Sequence, residues 1–514
     1  MKPLSRRQFI QQAALTGGAL LLLPELEASM LFKNQPSGNY FLHEFGIDEK
    51  LCQKLLAKAL SKGGDFADLY FEYSVSNYLG LEDGKVNRSY GDISLGVGIR
   101  TVKGDQIGYG FTQELTPESM LSAAATASTL CDMKATPVVT SFNPLKTSNY
   151  YPVALDYNGI PAKSKLPLVQ SINEKCFALS PEIVKVNAGF QSSAKRVMIV
   201  TSDGVLAEDL IPSGFIYASV VAERNGKREQ SFYNLGGRRD SSFYTDEVIT
   251  EVATKTVNNA LKLFDAIQPP AGEMPVVLGP GVTGILLHEA IGHGMEADFN
   301  RKKISTFSTM IGKKVAEPFV TIIDDGTNMN LAGSLNVDDE GVPGKKTVLV
   351  ENGILTSYLH DKISAKHYGV EPTGNGRRQD FQNYPIPRMR NTYMLGGAAS
   401  ADDVIKQAGN GIYVENVSNG QVKIGEGDFA FYVSQGRLIE NGKLTSPIKD
   451  VNIMGNGPKM LTNITMVANN LEMYQGGAGQ CGKNGQGVPV SFGLPTCLVK
   501  SLTVGGTQQK GAQS

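Results

Sequence analysis

Tryptophan is absent from the 514 residues, and histidine and cysteine are scarce at five each. The cysteines, Cys52, Cys131, Cys176, Cys481 and Cys497, are odd in number and widely separated, which excludes a small disulfide-stapled scaffold. Charge of one sign is missing as well. With 49 basic against 50 acidic side chains the formal net charge is −1, so no basic excess argues for nucleic acid. The apolar run AALTGGALLLL (13–23) falls short of the ~20 residues that span a bilayer. Membrane contact is expected only through that segment, and only if it stays uncleaved.

What is present is ordinary globular composition. The chain is 41% hydrophobic and 19% charged, with a mean hydropathy of −0.15, and is long enough for roughly two to four domains. Glycine is abundant at 57 residues, which points to many turns and closely packed strands.

Residues 1–29 read as a targeting segment. Paired Arg6 and Arg7 stand before the apolar run, with Gly17 and Gly18 inside it and Ala28 at a plausible, if imperfect, cleavage point. The expectation is twin-arginine export to the periplasm, a route that carries proteins already folded.

The rest divides into three units. In the first (40–132), Ile47, Leu51, Leu55 and Ala59 repeat on one helix face, with Asp48 to cap it and Gly63 beyond it. Strand patterns LYFEYSV and ISLGVGIR follow, with turns at Asp83-Gly84 and Lys103-Gly104, and then a helix from Thr116-Pro117-Glu118 to Cys131. Residues 132–165 read as a linker. The second unit (166–266) has three strand-like runs separated by the hairpin signals Asp203-Gly204 and Asn225-Gly226, and a closing helix over 246–264. The third (273–507) opens with the strand PVVLGP and becomes β-rich beyond Phe299. The expected fold class is α+β: N-terminal α/β units with antiparallel sheets, followed by a β-rich C-terminal domain.

Two of the five histidines lie in GVTGILLHEAIGHGMEADF (281–299), where His288, Glu289 and His293 read H-E-x-x-x-H. Zinc helices usually place their histidines four apart, on one face. Five apart on a regular helix would point them about 140° away from each other. A shared metal therefore requires a π-bulge, or a helix that unwinds before His293. Gly292 and Gly294 would leave the backbone free to do either. The plainer reading is a pair of histidines satisfied by the last carbonyls of a helix.

A catalytic zinc takes three protein ligands. The candidates for the third are Cys481 in the glycine-rich GGAGQCGKNGQGVPV, Cys497 in a strand-like run, nearby carboxylates, and His360 and His367, seven apart on an expected helix. Spacing favours Cys481 without deciding it. Asp324-Asp325 and Asp338-Asp339-Glu340 could coordinate a metal, but acids beside glycines more often form turns. Arg377-Arg378 and the Arg388 to Arg390 segment could anchor a peptide carboxylate, or pair with those same acids.

The stretches HEAIGHGMEADFN, DDEGVPG, ENGILTSYL, PTGNGRRQDF, PIPRMRNTYML, QCGKNGQ and LTVGGT resemble the TldD/PmbA metallopeptidase family. DLYFEY and LGVGIRTVKGDQIGYGFT fit its N-terminal domain, so the likeness covers about 40–507. The resemblance implies one zinc per chain held by His288, His293 and Cys481, with Glu289 as the catalytic acid–base. It implies action on unfolded or extended peptides, gripped along strand edges, and a heterodimer with a PmbA-like (TldE) subunit; a homodimer is the alternative. Two rival readings are a non-catalytic peptide-binding subunit, which in this family lacks the metal motif, and a zinc amidase acting on another amide of the cell envelope. The export segment departs from the family's many cytoplasmic members.

Overall fold

A computed structural model describes residues 40–506 apart from 134, 136, 138, 154–156, 158–161 and 424. The expected export segment, 1–29, lies outside them. Among the described residues no helix is long and apolar enough to cross a membrane.

The protein is α+β. Its N-terminal half is built on one seven-stranded sheet formed by β1 (Phe66–Glu82), β2 (Lys85–Lys103), β3 (Gln106–Thr112), β4 (Asn143–Pro144), β5 (Ile183–Thr201), β6 (Val205–Arg224) and β7 (Lys227–Gly237). The order is β3-β2-β1-β5-β6, with β4 and β7 both on β6. The hairpin signals hold: Asp83, Asn225, Gly84, Gly104, Gly204 and Gly226 all take positive φ at their turns. β1 pairs with β5 along 15 residue pairs, so the first and second units share a single sheet.

Helices cover this sheet in two pairs. Glu49–Leu60, capped by Asp48 through the Leu51 amide, and Pro117–Ser128, capped by Thr116, bury Leu55, Leu56 and Ala124 against Leu69, Phe71 and Val97. Helices Ala162–Leu179 and Asp246–Lys262 bury Val169, Ile172 and Val252 against Val186, Phe190 and Ile216. Glycine is required in β3 for close approach. A Cβ on Gly108 or Gly110 would lie 2.2 Å from the carbonyl oxygen of Ala127 or Ala123 in the covering helix.

The C-terminal half begins with β8 (Gly272–Leu278). β8 pairs parallel with Gly411–Lys423 and antiparallel with Cys497–Gly506. Pairing continues through Val451–Asn456 and Asp428–Glu440 and returns to Gly411–Lys423, closing a ring of five strands. A second, six-stranded sheet carries Ile322–Asp325, Asn391–Met394 and Ser491–Leu494 side by side. The H-E-x-x-x-H segment belongs to the core of this half, where Leu286, Leu287, Ile291 and Met295 are buried with Val414, Phe431, Leu494 and Val499.

The two halves meet through buried ion pairs. Arg100 of β2 lies 2.8 Å from Glu340, and Arg378 lies 3.2 Å from Asp68 of β1. The end of β7 docks on the loop that leads to Cys481, with the Gly236 amide donating to the Gln475 carbonyl at 3.0 Å.

Candidate metal centre

The chain leaves β8 through Gly279-Pro280-Gly281, where Gly281 has φ 77°, and turns into a helix of changing pitch. Val282–Gly284 is a 3-10 turn, Ile285–Leu287 is α-helical, His288–Gly292 is a π turn and His293–Met295 is again 3-10. The His293 amide donates to the His288 carbonyl, five residues back. That bond supplies the bulge which five-residue spacing demands. The two imidazoles come to the same side, with ring centroids 5.2 Å apart and planes at 83°.

The glycines around His293 serve a different purpose from the one expected. Gly292 has ordinary helical φ of −59°, so left-handed freedom is not used. A Cβ there would lie 2.1 Å from the Met389 sulfur, and one on Gly294 would lie 2.9 Å from the Phe307 ring. These positions are glycine because the neighbours pack onto bare backbone.

Cys481 arrives on a separate two-stranded hairpin, Gln480–Lys483 paired with Gln486–Pro489. Its Sγ is 3.4 Å from His293 Nε2. One donor atom each from His288, His293 and Cys481 lies within 4.8 Å of the others, and all three residues are buried. Zinc–ligand bonds of roughly 2.0–2.3 Å would separate tetrahedral donors by about 3.3–3.7 Å, so the cluster is near the right size. Beyond its interaction with the Cys481 thiol, His288 has no hydrogen-bond partner on either ring nitrogen among the described residues, although only 1% of it is exposed. A buried polar ring without partners is costly, and a metal ion would satisfy it. The donor set and this orphaned ring fit zinc.

Local charge is arranged around the same atoms. Burial pushes the Cys481 thiol up, but the His288 and His293 imidazoles outweigh it and hold the group well below the usual thiol value. Burial pushes His293 down, and Glu296 with Cys481 reverses this and raises it well above the ordinary histidine value. His293 Nδ1 is 2.9 Å from Glu296 Oε2. Burial would raise the Glu296 carboxyl, but Lys483 and His293 bring it down to about 2. Glu289 sits at the rim. Its side chain is 27% exposed and its Oε2 is 3.8 Å from His293 Nε2.

The other candidates lie elsewhere. Cys497 is buried on its strand, and burial alone pushes its thiol up to about 12. His360 is not on a helix with His367. It precedes the helix Lys362–Tyr368, which Asp361 caps, and His367 is exposed on that helix. Neither belongs to the histidine–cysteine group.

The acidic clusters pair and turn. Asp325 accepts from the Thr327 amide and Asp338 from the Glu340 and Val342 amides, as turn residues do. Asp324 faces Arg390 at 2.8 Å, and Asp339 accepts from the Arg378 amide at 2.7 Å. The arginines expected near a peptide carboxylate are all buried; Arg377 donates to the carbonyls of Met389 and Pro489, and Arg388 to those of Cys481 and Gln486.

Two residues of the site are not foreshadowed by the motif, Glu296 and Lys483. The available signals are a glutamate three positions after His293, one helical turn on, and a lysine two positions after Cys481, on the same face of a strand.

Comparison with known proteins covers most of the chain. Residues 67–131 match the model for PmbA/TldA metallopeptidase domain 1, 156–264 that for the central domain and 271–506 that for the C-terminal domain. The Metalloprotease TldD homolog of Buchnera aphidicola is 38% identical over 466 residues, spanning 89% of this chain and 95% of that protein. The Zinc metalloprotease TldD homolog of Saccharolobus solfataricus is 28% identical, over 88% of this chain and 99% of its own. Two crystal structures share the fold. A Thermotoga maritima protein solved as a candidate modulator of DNA gyrase gives a TM-score of 0.73 at 22% identity, covering 89% of this chain and all of that one. TldE from Thermococcus kodakarensis gives 0.69 at 17% identity, again over 89% of this chain and all of its own.

Proposed function

The chain belongs to the PmbA/TldD metallopeptidase family, and from that premise we propose that it is a zinc peptidase acting on unfolded or extended peptides. The observation that carries the proposal is the buried cluster of His288, His293 and Cys481, whose donor atoms lie within 4.8 Å of one another. These three would hold one zinc per chain. When bound, zinc supplies Lewis acidity toward the scissile carbonyl and lowers the pKa of a water in the site.

The chain's own residues divide the remaining work. Glu289 has access to solvent and stands next to the ligand cluster, so it takes the proton of the attacking water and passes it to the leaving amine. Glu296 accepts from His293 Nδ1, which leaves Nε2 turned toward Cys481. Because a thiolate donates more charge than an imidazole, water in this site would be less acidified by a bound zinc than in a three-histidine one. Proton removal by Glu289 matters correspondingly more.

Pairing with a PmbA-like (TldE) subunit completes the reading, supported by the shared fold with TldE. Residues 1–29 would direct the folded protein through the twin-arginine pathway to the periplasm. Exchanging Arg6 and Arg7 for lysine should leave the precursor in the cytoplasm, and export that survives a blocked twin-arginine pathway would refute that assignment.

The decisive test is Glu289→Gln. The amide is nearly isosteric but accepts no proton near neutral pH, so hydrolysis of an unfolded peptide should fall by about 10²–10⁴-fold with zinc content unchanged. The assay includes the PmbA-like partner. Cleavage at the wild-type rate with zinc in place would remove Glu289 from the chemistry.

A further inference from the structure

Cys481 and Lys483 leave the same face of the strand Gln480–Lys483, and both are buried while Gln480 and Gly482 are exposed. A lysine so deeply placed is expensive unless its charge and its three N–H groups are matched. Here they are. Lys483 Nζ lies 3.0 Å from Glu296 Oε2, 2.7 Å from Asp298 Oδ1 and 3.0 Å from the Pro387 carbonyl, and 4.2 Å over the Phe299 ring.

Glu296 links this lysine to the metal cluster. Its Oε2 is shared between Lys483 Nζ at 3.0 Å and His293 Nδ1 at 2.9 Å. Its Oε1 has no hydrogen-bond partner among the described residues. One carboxylate oxygen therefore carries the whole connection.

The hairpin needs such a connection. It pairs with no other sheet, and an isolated two-stranded hairpin is at best marginally stable. It must nevertheless deliver a thiol to a histidine 188 positions away in sequence. Arg388 and Arg377 hold its backbone at the Cys481 and Pro489 carbonyls. Lys483 instead reaches a group that itself touches a histidine of the site.

We propose that Lys483 is a positioning residue for the metal centre: it latches the Cys481 hairpin to the histidine helix and pins Glu296, which fixes His293 with Nε2 toward Cys481. The proposal rests on reading His288, His293 and Cys481 as the metal ligands. The thiol and the imidazole then come into register through the same contact, so hairpin docking and ligand orientation are one event.

The test uses the full chain, stripped of metal and titrated with cobalt(II) and zinc. The sulfur-to-cobalt charge-transfer band reports engagement of the Cys481 thiolate. Lys483→Met and Glu296→Gln should each weaken metal binding by about 10–100-fold and diminish that band. The double variant should be no worse than the weaker-binding single one, because both act on His293 along one chain of contacts. Lys483→Arg should recover part of the affinity. Melting of the metal-free proteins separates this from a purely structural role, which would lower the midpoint and leave the affinity of the folded protein unchanged.

Wild-type affinity and an undiminished band in Lys483→Met would overturn the proposal, as would effects of the two substitutions that multiply. If Lys483→Met does not fold, Glu296→Gln with unchanged affinity overturns it equally. If the wild type binds neither metal, the ligand assignment itself fails and takes this inference with it. If the wild type binds and Lys483→Met binds as well, only the latch is wrong.

Discussion

Two buried polar clusters border the C-terminal half, and they differ in which groups they bring together. In one, carboxylates meet guanidinium groups, Asp324 with Arg390, Asp68 with Arg378 and Glu340 with Arg100. Even so, Arg100 Nη1 and Nη2, Glu340 Oε1 and Arg378 Nε make no hydrogen bond among the described residues. In the other, His288 has no hydrogen-bond partner among the described residues beyond its interaction with the Cys481 thiol, and Glu296 has one oxygen satisfied and one not. Both clusters cost desolvation. The first recovers much of it within the chain, and so has a sufficient explanation as architecture. The second does not, and a ligand from outside the chain is the natural way to close the balance. Both clusters hold atoms without hydrogen bonds, so what distinguishes the site from the joint is its donor set, two imidazoles and a thiol with donor atoms within 4.8 Å of one another.

The sharpest way to break this comparison is at Cys481. Cys481→Ala should lose the metal and with it peptide hydrolysis, since a catalytic zinc depends on its three protein ligands. Cys497→Ala removes an equally buried thiol whose environment only raises it, and should keep both. Elemental analysis of the two purified variants decides the matter. Equal metal in both would take Cys481 out of the site and leave its depressed thiol without a purpose.

The complementary substitution lies in the ion-paired cluster. Arg390→Met leaves Asp324 buried and facing nothing of opposite charge, although the Arg390 and Thr392 backbone and hydroxyl donors remain. Breaking a buried pair from one side costs about 3–5 kcal/mol. The expected outcome is a large loss in urea stability with unchanged metal stoichiometry in the folded fraction. Loss of metal without loss of stability would show that the joint is part of the site.

Legibility in the sequence follows the same division. The helices near 47–62, 116–131 and 246–264, the hairpins at Asp203-Gly204 and Asn225-Gly226, and the α+β class are readable because they depend on local periodicity and turn chemistry. The helix Ala162–Leu179, which carries Pro167, starts inside the expected linker and is not anticipated. The π turn is readable as one of two alternatives, a bulge or an unwound helix, by which five-residue spacing could bring His288 and His293 together. The pairing of β1 with β5 is not, because its partners lie more than a hundred residues apart and no local pattern records it. The purpose of Gly292 is hidden for a related reason. Its lack of a side chain answers to Met389, a neighbour that only the fold supplies. The same holds for Lys483, whose three partners, Asp298, Glu296 and Pro387, are not visible as a motif. The distance from His360 to His367 suggests a shared helix, whereas Asp361 caps that helix and leaves His360 before it.

His360 also offers the finest test of the comparison, because it is a buried histidine with a partnerless Nδ1 that belongs to no ligand cluster. Its ring packs against Tyr368 at 5.4 Å and Tyr358 at 6.2 Å, and it is 4% exposed. Burial pushes it down to about 4, against 6.5 for a free imidazole. A depressed histidine binds fewer protons folded than unfolded, so the stability held by keeping it neutral is present above pH 6.5. It is lost as pH falls toward 4. At pH 5 the loss amounts to about 2 kcal/mol, because each pH unit below 6.5 removes about 1.36 kcal/mol. Asp338 and Asp361, raised to about 7 and about 6 by burial and Glu340, titrate over the same range with the opposite sign. The wild type alone therefore shows only the sum. The difference between His360→Phe and wild type isolates the imidazole. The variant should gain about 2 kcal/mol relative to wild type between pH 7.5 and pH 5 in urea unfolding, with metal content unchanged. An identical difference at both pH values would mean that His360 charges freely in the folded protein. Its unpartnered nitrogen would then have access to water, and an orphaned ring would by itself be a weaker mark of a metal site than His288 makes it.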